Sequence, residues 1–440
     1  MKRLASRFVL ALGLAAGVAW PLPFTSAKRQ EQSQDSQAIG YRHAVSQDAI
    51  ARLQRRINSG EVKLEYSEKN GYLESVLKHL NVPASSQGLV FSKTSFQLHR
   101  IMPSSPRAIY FNDELYVGWV RGGDVLELAA VDPELGGVFY MLDQEKMARP
   151  RFQRNDECLQ CHATNSTRNV PGFLVRSVYP DARGYPIAPL GSFITTHCSP
   201  LKDRWGGWYV SGTHGSERHL GNMRFEEKGT EHNPAQLGSQ NLTNLEPRFN
   251  TLSYLTPHSD IVALMVLEHQ TQAHNLITKL GYETRLALHA QQVMNHALKQ
   301  SNDEMTDSTR RRIRHAAEDL VCYLLFAGEA TWQSPISGTT SFAREFAVQG
   351  PRDKQGRSLR DLDLKQRLFR YPCSYLIYSE AVDALPGPAL DELYKQLWLA
   401  LTGETKDKEL AAIPAVDRRA VLDILRQTKP NLPAYFQQEK

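Results

Sequence analysis

Two cysteines and a histidine stand close together in the stretch Cys158-Leu159-Gln160-Cys161-His162. Two thiols separated by two residues can each form a thioether with one vinyl group of a single haem, and a histidine directly after them can bind the iron. The same C-x-x-C spacing also occurs in redox-active dithiols and in zinc sites. In an exported chain, these five residues favour covalent attachment of one haem c, with His162 as the proximal axial ligand.

The remaining cysteines, Cys198, Cys322 and Cys373, lie far from the motif and from one another. A zinc ribbon would need a second close cysteine pair, and a thioredoxin-like dithiol would be followed by a long helix, which residues 163–167 do not favour. An exported chain permits disulfides, so Cys322 and Cys373 could pair and leave Cys198 as a free thiol. The zinc and dithiol alternatives are therefore weaker than haem attachment.

The N-terminal residues indicate export. Lys2, Arg3 and Arg7 form a basic region, residues 8–20 form an uncharged apolar run, and residues 25–27 are small. This order is typical of a secretory signal peptide that is cleaved after residue 27. The apolar run is short for a membrane-spanning helix, although an uncleaved anchor is the alternative. We therefore expect a periplasmic or otherwise exported protein, without a membrane span unless the signal is uncleaved.

Charge and length limit the possible partners and the domain number. Removing the three positive charges of the predicted signal peptide from the net charge of +5 leaves +2. A nearly neutral protein gives no reason to expect nucleic acid or an anionic membrane as partner. The 440 residues are too many for one small core, so two domains are expected.

The elements around the motif predict an α+β fold, in which a β-rich haem domain is followed by an all-α domain. The predicted parts are a signal peptide (1–27), a leader and first helix (28–60), a β-rich haem-binding domain (61–254) and an α-helical domain (255–440). Alternating apolar residues between 108 and 120 predict a hairpin, and the motif falls in a loop between further strands. Ser259 and Asp260 are expected to cap a helix that ends at Gly281, with a second helix following.

The other strands are predicted at 126–131, 137–142, 173–179, 190–196 and 207–211, and the other helices at 45–58, 72–80, 307–327, 373–384, 388–401 and 415–428.

A segment from residue 195 to 223 is a candidate for the second axial ligand, because it is dense in histidine, tryptophan and glycine. An electron carrier with six-coordinate iron needs such a ligand, usually His or Met. His214 and His219 are the first candidates, with Met223 and His197 behind them. The alternative interpretation is that each histidine is an ordinary surface or turn residue.

Four further residues are candidates for contacts with the porphyrin. Arg176 and Arg204 could pair with the haem propionates, because a guanidinium matches a carboxylate in a bidentate way. Trp205 and Trp208 could lie against the porphyrin face, although both could equally be core residues. A second group, Met265, His269 and His274, is interpreted as core or interdomain rather than as ligands.

The motif resembles the attachment motif of c-type cytochromes. The rest of the chain is similar to large exported monohaem proteins of environmental bacteria, and five stretches carry that resemblance: 110–113, 170–172, 174–176, 204–210 and 367–375. A β-rich frame around the motif also resembles haem-bearing sensor domains of PAS type. These resemblances imply one covalent haem but no particular activity.

The expected function is that of a periplasmic electron-transfer protein with one covalent haem and an unidentified redox partner protein. One alternative is a haem enzyme, peroxidase-like or a small-molecule oxidoreductase, in which His214, Arg218 and His219 would act on substrate. A single motif argues against the dihaem peroxidases. Another alternative is a haem-based redox or gas sensor, although no output segment follows the haem domain.

Overall fold

The computed structural model describes residues 36–226 and 241–438. The predicted signal peptide and most of the predicted leader lie outside these ranges. Within them, a seven-stranded sheet occupies the N-terminal half and helices dominate the C-terminal half. The predicted order of a β-rich part followed by an α-helical part is therefore confirmed.

Nine strands form two sheets in the described part of the chain. They are β1 (Gly88–Val90), β2 (Arg107–Phe111), β3 (Leu115–Trp119), β4 (Val125–Asp132), β5 (Gly136–Asp143), β6 (Gln153–Arg154), β7 (Arg176–Val178), β8 (Ser192–Ile194) and β9 (Trp208–Tyr209). Seven strands pair in the order β6-β5-β4-β3-β2-β1-β9, and β7 pairs with β8 alone. The predicted hairpin is confirmed as β2 and β3, whereas the sequence does not predict β1 and β6, which have three and two residues.

Ten α-helices are present in the described ranges. They are α1 (Ala49–Asn58), α2 (Leu73–His79), α3 (Leu159–His162), α4 (Ile261–Leu298), α5 (Asp307–Leu324), α6 (Phe342–Ala347), α7 (Glu380–Asp383), α8 (Gly387–Thr402), α9 (Lys408–Ala411) and α10 (Ala415–Thr428). The predicted helices at 45–58, 72–80, 307–327, 388–401 and 415–428 correspond to α1, α2, α5, α8 and α10. The predicted helix at 373–384 is instead a short 3₁₀ helix followed by α7.

The long helix α4 corrects the prediction that a helix ends at Gly281. The helix is 38 residues long and runs past Gly281 to Leu298. Asp260 caps its N-terminus by accepting hydrogen bonds from the amides of Val262 and Ala263. A glycine inside a helix costs about 1 kcal/mol relative to alanine, which is less than the packing of a buried helix can provide. Tertiary burial therefore outweighs the local stop signal.

The two faces of the large sheet are covered by different helices, because successive side chains of a strand point to opposite faces. On one face, the Tyr140 hydroxyl donates to Asp48 at the N-terminus of α1, at 2.6 Å. On the other face, the Gln270 side chain of α4 donates to the hydroxyl of Tyr116, at 3.0 Å. One continuous hydrophobic core runs through the sheet and the helices, so the two predicted domains share their interior.

Within the described ranges, no helix combines the length and the apolarity that crossing a bilayer requires.

Candidate haem-attachment site

The motif lies on a short helical turn, not in the loop that the sequence predicts. A 3₁₀ turn (Asp156–Cys158) runs directly into α3, and the side chain of Asn155 accepts a hydrogen bond from the Glu157 amide at 2.9 Å. Residues three and four apart on a helix share a face. The helical turn therefore places Cys158, Cys161 and His162 on one side, with the Cys158 thiol half-buried and that of Cys161 exposed.

The imidazole of His162 is oriented by a backbone carbonyl. Its Nδ1 lies 2.9 Å from the oxygen of Gly172, and since a carbonyl only accepts, Nδ1 carries the proton and donates it. This tautomer leaves the lone pair of Nε2 for a metal. Burial lowers the pKa of His162, which favours the neutral form that binds iron. The ring also packs on Phe139, with 4.8 Å between centroids.

The long helix α4 holds the carbonyl that orients His162. The Asn275 side chain accepts from the amide of Phe173 at 2.8 Å and donates to the Phe173 carbonyl at 2.7 Å. A Cβ at position 172 would lie 2.1 Å from the Asn275 Oδ1, so only glycine fits this close approach. Sequence reasoning did not assign a role to Asn275, because it is more than a hundred residues from the motif in sequence.

An ion pair on the sheet, Arg107 with Glu127, faces the motif, and we call it the charged wall. Arg107 and Glu127 form an ion pair of 2.6 Å, with side chains 19% and 14% exposed. Gly118 pairs with Glu127 on β4 and with Ile109 on β2, two residues along the strand from Arg107. A Cβ at position 118 would come within 2.3 Å of the Arg107 Nη2, so the guanidinium rests on Gly118. Burial and the Glu127 charge raise the pKa of the Cys158 thiol to about 11, while Arg107 opposes them.

Two arginines beside His162 have nitrogens that lack partners. The Nε atoms of Arg107 and Arg176 are buried and donate to no partner within the described residues. Both guanidiniums also contribute to lowering the pKa of His162, behind the larger effect of burial. A buried donor without a partner is costly, and a propionate is a suitable acceptor. The predicted propionate contact at Arg176 is therefore compatible with the structure, and Arg107 is a second such residue.

Arg204 is held in the core and is not placed to meet a propionate. Its guanidinium forms an ion pair with Glu268 at 3.1 Å, and the two side chains are 1% and 0% exposed. It also donates to the carbonyls of Ser199 at 2.8 Å and His197 at 2.9 Å. Burial, opposed by Arg204, raises the pKa of Glu268 to about 7. The prediction that Arg204 contacts a haem propionate is corrected accordingly.

Trp205 and Trp208 are core residues, which agrees with the alternative interpretation and not with exposed porphyrin contacts. Trp205 is fully buried and Trp208 is 4% exposed. The Trp208 indole donates to the carbonyl of Arg176 at 2.9 Å, so it fixes the backbone of a residue that lies beside His162. Trp205 has a positive φ of 64° and packs edge-on against His219.

The histidines proposed as distal ligands lie in a second region, which we call the buried histidine region and define as His197, His214, His219 and His269. The rings of His214 and His219 are 4.7 Å apart, and His214 Nδ1 lies 2.8 Å from the Glu217 carbonyl. Each of the four side chains is at most 2% exposed.

The other half of that region is an aromatic stack. The Nδ1 atoms of His197 and His269 are 2.9 Å apart, and His269 Nε2 lies 2.7 Å from the Ser374 hydroxyl. The ring of Tyr323 stacks against both imidazoles. The interpretation of Met265, His269 and His274 as core residues is confirmed, since each is at most 1% exposed. The remaining distal candidate, Met223, is half-buried.

All five cysteines are free thiols. Cys322 is half-buried and Cys373 is buried, and no disulfide joins them. The exposed Cys198 makes a long contact of 3.8 Å with the carbonyl of Ala327. Among the described residues, no three His, Cys, Asp or Glu side chains are grouped so that they could hold a metal ion by themselves.

Comparisons of the chain with family models, curated proteins and solved structures found no match.

Proposed function

We propose that this chain is an exported electron-transfer protein with one haem c bound covalently through Cys158 and Cys161. The observation that carries the proposal is the geometry of His162, whose Nδ1 is engaged by the Gly172 carbonyl while both cysteines share its side of a helical turn. When bound, the haem supplies an iron that exchanges one electron between its ferric and ferrous states. The redox partner is proposed to be a protein, and the location is proposed to be the periplasm.

Different residues of this chain would bind the iron, orient its ligand and contact the propionates. His162 would bind the iron through Nε2, and Asn275 would keep its orientation by fixing the backbone next to Gly172. Arg176 and Arg107 would donate to the propionates through nitrogens that have no other partner within the described residues. Glu127 would place a negative charge near the iron and so favour the ferric state.

Covalent attachment is tested with the full chain, including residues 1–27, expressed in a host that is competent for haem attachment. We expect haem to remain on the protein after denaturing electrophoresis and to appear in the intact mass. The double variant Cys158→Ala/Cys161→Ala should lose it completely. Cys198→Ser is the matched control, because Cys161 and Cys198 are both exposed thiols. A wild-type protein without covalent haem would refute the proposal, as would loss of haem in the Cys198 variant.

The role as a carrier is tested by optical spectra of both redox states with and without carbon monoxide. A low-spin spectrum that carbon monoxide does not change supports electron transfer, because a carrier keeps both axial positions filled. Rapid binding of carbon monoxide would contradict that role. Location is tested by fractionation, and recovery of the haem protein in the cytoplasm instead of the periplasm would contradict the proposed export.

A further inference from the structure

A cleft separate from the motif lies beside the β1–β9 edge of the large sheet. Its volume is about 420 Å³, and none of its lining residues belongs to the motif. The walls include the rings of Phe91, Tyr185 and Tyr209. Clefts of roughly 300–1,000 Å³ are typical of small-molecule sites. The cleft therefore has the size for one compact organic ligand.

Basic side chains converge on this cleft. Lys93, Arg183, Arg224 and Arg248 line it, and the lining residues in the described part of the chain include no acidic side chain. The nearest carboxylate to Arg183 is that of Asp181, at 4.0 Å, where it accepts hydrogen bonds from backbone amides of its own turn. Among the described residues, Lys93, Arg183 and Arg224 outnumber that carboxylate, which favours an anionic ligand.

The contacts and exposure of Lys93, Arg183 and Arg224 indicate which of these side chains can reach a ligand in the cleft. The Lys93 ammonium donates to the carbonyls of Leu98 and Ile101, and burial lowers its pKa. Lys93 therefore has a structural role at the floor of the cleft. Arg183 is 80% exposed and Arg224 is also exposed, so both guanidiniums are accessible to a ligand.

Aromatic rings stand next to these cations. The ring of Tyr209 packs on Phe91 at 4.7 Å and stacks on Phe249 at 5.0 Å, and its hydroxyl donates to the Pro103 carbonyl. Its plane is therefore fixed before any ligand arrives. Tyr185 is 45% exposed, and the charged ends of Lys93 and Arg183 lie 5.0 and 5.4 Å from its centroid.

We propose that this cleft binds a small planar aromatic compound that carries two acidic groups. The exposed ring of Tyr185 offers a surface on which an aromatic ring can stack, and the guanidiniums of Arg183 and Arg224 offer forks for carboxylate or sulfonate groups. The volume accommodates one such molecule and not a folded partner. The site is independent of haem attachment, because it shares no residue with the motif or with its charged wall.

The binding test uses isothermal titration calorimetry of the purified full-length protein with naphthalene-2,6-disulfonate as the probe. We expect saturable binding of one molecule that weakens as salt is added. The double variant Arg183→Gln/Arg224→Gln should bind at least tenfold more weakly. Arg311→Gln/Arg314→Gln is the matched control, since it removes the same charge from exposed arginines of α5 and should bind like the wild type.

The aromatic contribution is tested separately with Tyr185→Leu, which keeps every charge and should weaken binding of the probe about fivefold or more. Inorganic sulfate should bind far more weakly than the probe. The proposal is overturned if the probe does not bind saturably, if sulfate binds equally well, or if both arginine double variants behave alike. It is also overturned if oligodeoxythymidylate binds much more tightly and excludes the probe, since that would indicate a single-stranded nucleic-acid surface.

Discussion

The motif site and the buried histidine region both contain imidazoles, but they present them in opposite ways. At the motif, His162 donates one hydrogen bond to a backbone carbonyl and lies beside two exposed or half-buried thiols. In the buried histidine region, His197 and His269 are stacked between aromatic rings and hydrogen-bonded to each other. The first imidazole is oriented and retains a nitrogen for a ligand, whereas the second pair is part of the core.

The difference shows that density of histidine in a sequence is a poor guide to metal ligation. Residues 195–223 contain three histidines and two tryptophans, and the structure buries all of them. Arg204, which has the right chemistry for a propionate, is neutralised by Glu268 in the same core. A free nitrogen does not distinguish the two regions, since His197 Nε2 and both ring nitrogens of His219 also lack partners within the described residues. Those imidazoles are enclosed in the core, whereas His162 lies beside two accessible thiols.

Replacing the proximal histidine should give the largest effect on the iron. We expect His162→Ala to lose the axial imidazole and to change the low-spin spectrum, and added imidazole should restore it by filling the vacated position. His214→Gln, by contrast, should leave the spectrum of the folded protein unchanged, because His214 is engaged with Glu217 and His219. Loss of the low-spin spectrum in the His214 variant would place a ligand in the buried histidine region and reverse the comparison.

Acid should next most strongly destabilise the protein through its buried histidines. Outside the motif, burial lowers the pKa of His197, His219, His269 and His274 below 6.5. Between pH 6.5 and the lowered values, the unfolded chain binds protons at these positions and the native protein does not, so stability falls as the pH falls. His219, His269 and His274, whose pKa values fall to about 3, 3 and 4, each contribute a loss of about 2 kcal/mol between pH 7 and pH 5.

Buried carboxyl groups act in the opposite sense. Burial raises the pKa of Glu268 and of Glu329 to about 7 and also raises those of Asp48 and Glu114, so the native protein takes up these protons first and gains stability as the pH falls. The two carboxyl groups with a pKa near 7 are fewer than the histidines, and we expect a net loss of stability at pH 5 relative to pH 7. Urea unfolding of the Cys158→Ala/Cys161→Ala protein at several pH values measures this change in the free energy of unfolding. His315→Gln replaces an exposed histidine and is the control, because it should not alter how the free energy of unfolding depends on pH. Equal or greater stability at pH 5 would contradict the expected sign.

Of these changes, a substitution in the charged wall should have the smallest effect, which is on the reduction potential of the haem. Replacing Glu127 by Gln removes a partly buried negative charge close to the motif and should raise the reduction potential by about 40 mV, which corresponds to about 1 kcal/mol for one electron. Glu157→Gln is the matched control, because it adjoins Cys158 but is exposed and therefore screened. A spectroelectrochemical titration measures both potentials. Equal shifts in the two variants would show that the wall does not tune the iron.

Much of the fold could be predicted because its signals are local. The hairpin of β2 and β3 and the helices α8 and α10 follow from periodicity and from turn and cap residues within one short window. The end of α4 could not be predicted in this way. Gly281 is a local stop signal, but the helix is buried against the rest of the molecule and continues to Leu298.

The attachment motif is determined by the sequence alone, since its five residues are contiguous and their spacing matches one haem. The tertiary structure decided which groups surround it. Asn275 reaches Phe173 from a distant helix, and Arg107 of β2 reaches Glu127 of β4 over Gly118 of the strand between them. Contacts of this kind join residues far apart in the chain, so no window of sequence contains them. The sequence therefore determined the candidate ligand His162, and the packing of sheet and helix decided how its imidazole is oriented.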